Sequence, residues 1–358
     1  MNLTIQTLFN DPLIVDAVID RVLQQRLDTI YWQQFGRFRE TKTRVFKTYL
    51  GTVTGVVAGS IIAKNDQKPL RERRTLGTGY TEIAYLGDRY QMDNERLSEL
   101  TDLLDKFNNA NTPDQQTILN EIVDFIVDDY RQVLLAPHKR MDIVVAELLM
   151  TGKAEVHNAD NKEGIKVLDI DLPFHFLKPG ADVKDKFITY LQSQTAELRA
   201  KFGVFSKMIM SRGTFYKRIV GSKEFGQTFK MILGSNQFYV GGGLITSQMA
   251  SEVFVGIGLP AIEIKDDYVE MQNGTNKQLY ADDRISLLYN DDVLEMRHHK
   301  PYVVTDPVPG RNYSTADGQM SICNYRDGEG RYMEYTAEWI PEFKAPNKIV
   351  NLDLSELG

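Results

Sequence analysis

The chain has 358 residues, too many for one core of the usual size and enough for two or three. Hydrophobic residues make up 42%, charged residues 25%, and the net charge is −7, so the chain reads as folded and lacks the basic balance of proteins that grip nucleic acid. One cysteine, Cys323, excludes an internal disulfide and fits a reducing compartment; no apolar run reaches bilayer length, and the acidic first twenty residues carry no basic n-region of a signal peptide.

In chain order, residues 1–40 open with an amphipathic segment. Asp11-Pro12 marks a helix start, and Ile14, Val15, Val18, Ile19, Val22 and Leu23 recur at helical spacing. Residues 41–90 read as strand: Thr43, Val45, Phe46, Thr48 and Tyr49, then a β-branched, glycine-rich run from Gly51 to Ser60. A polar tip, 64–68, precedes a basic stretch with Arg71, Arg73 and Arg74, and a return strand spans Thr78 to Tyr90. Such a hairpin has few large apolar residues and cannot bury much surface alone, so it is expected to finish its packing on another copy.

A short helix is expected from Asn94 to Phe107, ended by the polar run 108–112. Thr112-Pro113-Asp114 starts a second helical pattern that runs to Gly152. Pro137 interrupts it, which leaves either one kinked helix or two in tandem. Val156 to Leu172 reads as a hairpin, and its turn lacks the ligand spacing of a calcium loop. Residues 185–310 read as an α/β unit. Its helices are expected at Lys184–Lys201, Gly213–Ile219 and Lys223–Leu233, and its strands at Phe205–Ser211, Phe254–Ile257, Ala261–Tyr268 and Ile285–Tyr289. Asn273-Gly274 is a hairpin turn, and Gly318–Leu354 is strand-rich with a second hairpin at 327–330.

No motif of catalysis stands out. A Walker loop, a Gly-x-Ser-x-Gly elbow and a Cys-x-x-Cys pair are all missing from the sequence. His138, His157, His175, His298 and His299 form no ligand spacing, and the last two, adjacent on a strand, point to opposite faces. Acidic pairs at 128–129, 266–267, 282–283 and 291–292 read as solvated turns and caps, and Cys323 as a small buried hydrophobe. No catalytic residue, cofactor or metal ligand is therefore assigned.

The order of these elements resembles the bacteriophage capsid fold named after HK97, and the wording is nearest to the lambda-like major capsid family. Thr75–Arg89 is similar to that family's descending hairpin strand, and Tyr130–Lys153 to its spine helix. Met208–Arg218, Gly258–Tyr268, Tyr280–Leu288 and Met333–Pro341 are similar to its strand-helix unit, strand pair and closing strand. The resemblance implies an α+β HK97-like fold: an N-terminal arm (1–40), an extended β-hairpin loop (41–90), a peripheral domain with the spine helix (91–188), an axial domain (189–310) and a return to the peripheral domain (311–358).

It also implies a structural, non-enzymatic protein that assembles into hexamers and pentamers of an icosahedral head around double-stranded DNA, without sequence-specific binding. Lys64, Lys68, Arg71, Arg73 and Arg74 on the loop are the expected inter-subunit contacts, where arginine forks meet acidic surface on a neighbour. The expected partners are copies of itself, a separate scaffolding protein, a portal and, where one exists, a decoration protein; no membrane is involved. The expected place is the virion capsid, assembled in the host cytoplasm. Two alternatives stay open: an encapsulin-type nanocompartment shell, and a soluble α/β enzyme built on 185–310.

Overall fold

The computed structural model describes residues 3–24, 30–49, 78–157, 166–233, 245–271, 273–328 and 330–357. Helix α1 (Ile5–Asn10) starts at a reciprocal cap in which Thr4 and Thr7 each accept the other's backbone N–H. Asp11 then caps α2 (Pro12–Gln24) by accepting from Leu13 N at 3.0 Å. Val15, Val18, Ile19 and Val22, the stripe legible in the sequence, are buried. Strand β1 (Gly36–Glu40) follows a turn that buries Tyr31, Trp32 and Phe35 completely. The described residues of 1–40 thus pack in the first core of the chain.

The hairpin has its two expected arms. β2 (Val45–Tyr49) runs antiparallel to β3 (Thr78–Glu82), in register from Val45↔Glu82 to Tyr49↔Thr78. β3 leads into β4 (Ala84–Met92). Helix α3 (Asn94–Asn109) is capped by Asp93, which accepts from Arg96 N at 2.9 Å.

Helix α4 (Thr112–Thr151) is one element of 40 residues, about 60 Å long. Pro137 lies inside it and does not split it. A proline forfeits one helical hydrogen bond, and Val133, Leu134, Met141, Val144, Val145 and Leu148, all buried, hold the helix together on both sides. Gly152 ends it in the left-handed conformation (φ 71°), with its N–H on Leu148 O at 2.7 Å. The hairpin that follows is β5 (Lys153–His157) with β6 (Lys166–Asp171), and the acidic turn weighed for calcium lies outside the described residues.

The α/β unit contains β7 (His175–Leu177), α5 (Phe187–Phe202), β8 (Lys207–Met210) and α6 (Arg212–Thr214), which widens into a π-type turn through Val220. It continues with α7 (Lys223–Leu233), α8 (Ser247–Gly256), β9 (Ala261–Ile264), the hairpin β10 (Tyr268–Glu270) and β11 (Asn276–Gln278), and β12 (Arg284–Leu288). The strand expected at Phe254–Ile257 is instead the end of α8. Thr246 caps this helix by accepting from Met249 N at 3.3 Å. Ala250, Val253 and Phe254, at helical spacing, face the core. The remaining elements are β13 (Leu294–His299), α9 (Tyr302–Thr305), β14 (Asn312–Ala316), β15 (Met320–Asp327), β16 (Gly330–Phe343) and β17 (Val350–Asp353).

Two sheets organise the described residues around two cores. In the six-stranded sheet the order is β1-β13-β16-β15-β14, with β4 also on β16; this sheet packs with α2, α3 and α4. In the five-stranded sheet the order is β7-β17-β12-β8-β9, and it packs with α5, α7 and α8. Sheet membership cuts across two of the expected ranges. β13 lies within 189–310 but pairs with β16, because β1 needs a parallel partner at Gly36↔Leu294. A Cβ on Gly36 would sit 2.1 Å from Leu294 O, so only glycine permits that approach. β17 lies within 311–358 but joins β12 and β7, burying Val350 and Leu352 in the second core.

Candidate assembly surface

The five residues expected to contact a neighbour, Lys64, Lys68, Arg71, Arg73 and Arg74, lie outside the described residues. What is described is the pair of strands, β2 and β3, that flank the segment carrying them. Arg44, just before β2, grips Glu338 on β16 with two bonds, Nε to Oε2 at 3.0 Å and Nη2 to Oε1 at 2.5 Å. Glu338 is only 2% exposed and also meets His299 Nδ1 at 2.9 Å. Backbone bonds fix both arms: Ile83 N donates to Arg44 O at 3.0 Å, and Thr41 N to His298 O at 2.9 Å. A planar fork on a desolvated carboxylate sets direction as well as energy, so this contact orients the start of β2 against β16.

The same face of the sheet continues as a ladder of ion pairs. Arg39 reaches Glu295 at 2.8 Å, and Arg297 reaches Glu342 at 2.5 Å. Glu334 holds Arg311 at 2.8 Å and Arg89 at 3.2 Å, and Arg311 stacks over Tyr325 with its guanidinium carbon 3.7 Å from the ring centre. The opposite face, with Met333, Tyr335, Ala337 and Trp339, is buried in the first core. Trp339 belongs to an aromatic cluster with Trp32, Phe38 and His138, in which Trp32 Nε1 donates to His138 Nδ1 at 3.2 Å.

Helices α3 and α4 offer the opposite sign. Glu95, Glu99, Asp102 and Asp105 are exposed on α3, and Asp114, Glu121 and Asp128 on the first half of α4. None of these seven pairs with a cation among the described residues, whereas Asp124 takes Arg21 at 2.8 Å. The like charges at positions 95, 99 and 102 lie on one helical face and repel one another mildly. The acidic face therefore suits a basic partner.

A third surface is an open cleft of about 510 Å³ between Arg212, Tyr216, Asp266, Tyr268 and Asp282. Arg212 pairs with Asp266, and Tyr216 and Tyr268 stand exposed at its edge. Exposed Tyr and Arg together have the composition of interface hot spots. Beneath it, Asp283 adopts a left-handed φ of 59° and binds Arg218 Nε at 2.6 Å and Lys217 Nζ at 2.9 Å. Burial pushes its carboxyl up, but these cations outweigh burial and hold it below the usual carboxylate range. The acidic pairs at 266–267 and 282–283, read as solvated turns, thus include side chains that lock the π-turn. Sequence spacing could not show this, because Arg218 and Asp283 are 65 positions apart.

Among the described residues no three His, Cys, Asp or Glu side chains gather as a metal site, and no helix is long and apolar enough to cross a membrane. Cys323 is buried, and burial pushes its thiol up, away from the reactive thiolate.

No family model and no curated protein matches this chain. Two solved structures share its fold from end to end. One, assigned as the capsid protein of a prophage in E. coli CFT073, is 14% identical, with a TM-score of 0.56; the alignment covers 96% of this chain and 99% of that one. The other, a phage-related protein from Bordetella bronchiseptica RB50, is 10% identical, with a TM-score of 0.51, covering 98% and 99%. Identity at this level speaks to fold: the chain has the α+β, HK97-like architecture of phage capsid proteins.

Proposed function

We propose that this chain is the structural major capsid protein of a tailed bacteriophage, assembling with copies of itself into hexamers and pentamers of a closed head. The observation that carries this reading is the likeness to a protein assigned as a prophage's capsid protein, over 96% of this chain and 99% of that one. In this reading the unit on the five-stranded sheet is axial, the unit with α4 is peripheral, and the hairpin reaches a neighbouring subunit. Lys64, Lys68, Arg71, Arg73 and Arg74 meet acidic surface there, and the exposed acids of α3 and α4 are the described surface of matching charge. A single exposed pair is worth about 1 kcal/mol or less, but a shell repeats each contact in every subunit. The chain performs no catalytic step; a scaffolding protein, a portal and, where one exists, a decoration protein complete the head around double-stranded DNA, built in the host cytoplasm.

Negative-stain electron microscopy of the full chain, expressed alone and with its neighbouring genes, tests this. Closed shells, or rings of five and six subunits, are expected, and DNA-packaging competence separates a phage head from an enzyme-filled compartment. A monomer or dimer under every condition overturns the proposal.

A further inference from the structure

A partly open cavity of about 150 Å³ lies in the first unit, under α1 and between β4, the start of α3, α4 and β16. Its walls are Phe9, Tyr90, Met92, Val133, Tyr332 and Met333, and its polar groups come from Arg331, Asp129, Arg96, Asp93, Asn324 and two glutamines. The charges in it do not cancel pairwise. Asp129 Oδ1 accepts from Arg96 Nε at 2.9 Å, and Asp93 is engaged as the α3 cap. Arg331 has no carboxylate partner among the described residues; its guanidinium lies over the Phe9 ring, 4.2 Å from the centre. Two atoms in the walls, Arg331 Nε and Asp129 Oδ2, are buried without a hydrogen-bond partner among the described residues. A desolvated polar atom without a partner is costly, and a desolvated charge more so.

We infer that this cavity binds a small oxyanion, which Arg331 holds by its free N–H donors. The space fits one such group with a few waters. An anion supplies the countercharge that Arg331 lacks. Burial lowers Arg331, and a bound anion would offset that shift. Because Phe9 of α1 forms the other side of Arg331, occupancy also clamps the N-terminal helices onto the sheet. The inference stands apart from the assembly reading, since it concerns the interior of one subunit.

Inorganic phosphate and acetate are titrated into the full chain at constant ionic strength set with chloride, with binding followed by calorimetry and, for phosphate, by 31P line width. Saturable binding of one equivalent per chain is expected for at least one of the two. It should weaken at least tenfold in Arg331→Met, which keeps the apolar reach over Phe9. In Asp129→Asn, which removes the competing carboxylate, it should tighten severalfold. The second variant decides the matter if the first does not fold. Absence of saturable binding by the wild-type chain overturns the site, and so does an affinity that neither variant changes.

Discussion

Single residues carry the sharpest consequences. Arg218 is 7% exposed and Asp283 is the carboxylate that neutralises it. Removing one partner of a buried pair leaves an uncompensated charge, so Asp283→Ala is expected to cost about 3–5 kcal/mol in urea unfolding of the unassembled subunit. Asp283→Gly also loses the pair but tolerates the left-handed φ, and should recover about 1 kcal/mol of that loss. Asp142 on α4 shows the opposite balance. It is fully buried, and burial pushes its carboxyl up to about 7, against the lowering effect of the N–H groups of Trp32 and Tyr31 and of Lys139, with Asp267 adding to the rise. The folded state therefore keeps a proton that the unfolded chain releases near pH 4. Wild-type stability should fall as pH rises from about 4 to 7 and level off above. Asp142→Asn still accepts the Trp32 N–H and has no charge to bury. Its melting temperature should exceed wild type at pH 8, and the gap should close toward pH 4; a gap independent of pH would refute the buried titration.

Among elements, the hairpin depends most on one side chain. Glu338→Gln removes the charge that both Arg44 and His299 contact. Hydrogen exchange should then quicken about tenfold in Val45–Tyr49 and Thr78–Glu82, while α4 amides stay unchanged. Equal loss of protection throughout the chain would mean that Glu338 supports the core and not the start of β2. The two arms of this hairpin were legible because β-branched runs flanked a polar tip, and α4 because its caps, Thr112-Pro113 and Gly152, bracket a helical stripe. α8 was misread because Val253, Phe254, Val255 and Ile257 are β-formers in isolation. The helical signal lay further back, in the Thr246 cap and the Ala250–Val253–Phe254 spacing. Local propensity lost to a tertiary contact, the packing of α8 on the second core.

At the scale of the whole molecule the order of elements was legible, but sheet membership was not. Nothing local says that Leu294 must pair with Gly36 or that Val350 must cross to Leu287, since both pairings are settled by which core has room for the strand. The candidate site was legible as charge and not as geometry: the basic run 69–74 stands in the sequence, whereas the acidic surface proposed to receive it exists only once α3 and α4 fold side by side. Under the proposed assembly, that pairing of signs makes a demand on the shell. If the arginines of one copy meet the helices of the next, replacing Arg71, Arg73 and Arg74 together by glutamate should leave the subunit's melting temperature within about 1–2 °C of wild type, because exposed charges contribute little to one fold. Shell formation, counted by light scattering and electron microscopy, should fail in that variant at low salt. Wild-type shells should also form less readily as salt rises from 0.05 to 0.5 M, about the range in which the screening length drops from above 10 Å to below 5 Å. A compensating change locates the contact: Glu95, Glu99 and Asp102 replaced by lysine should restore assembly in the reversed-loop variant and weaken it in the wild-type loop background. Failure of this rescue, with both proteins folded, would move the loop's acceptor surface away from α3 while leaving the capsid reading itself in place.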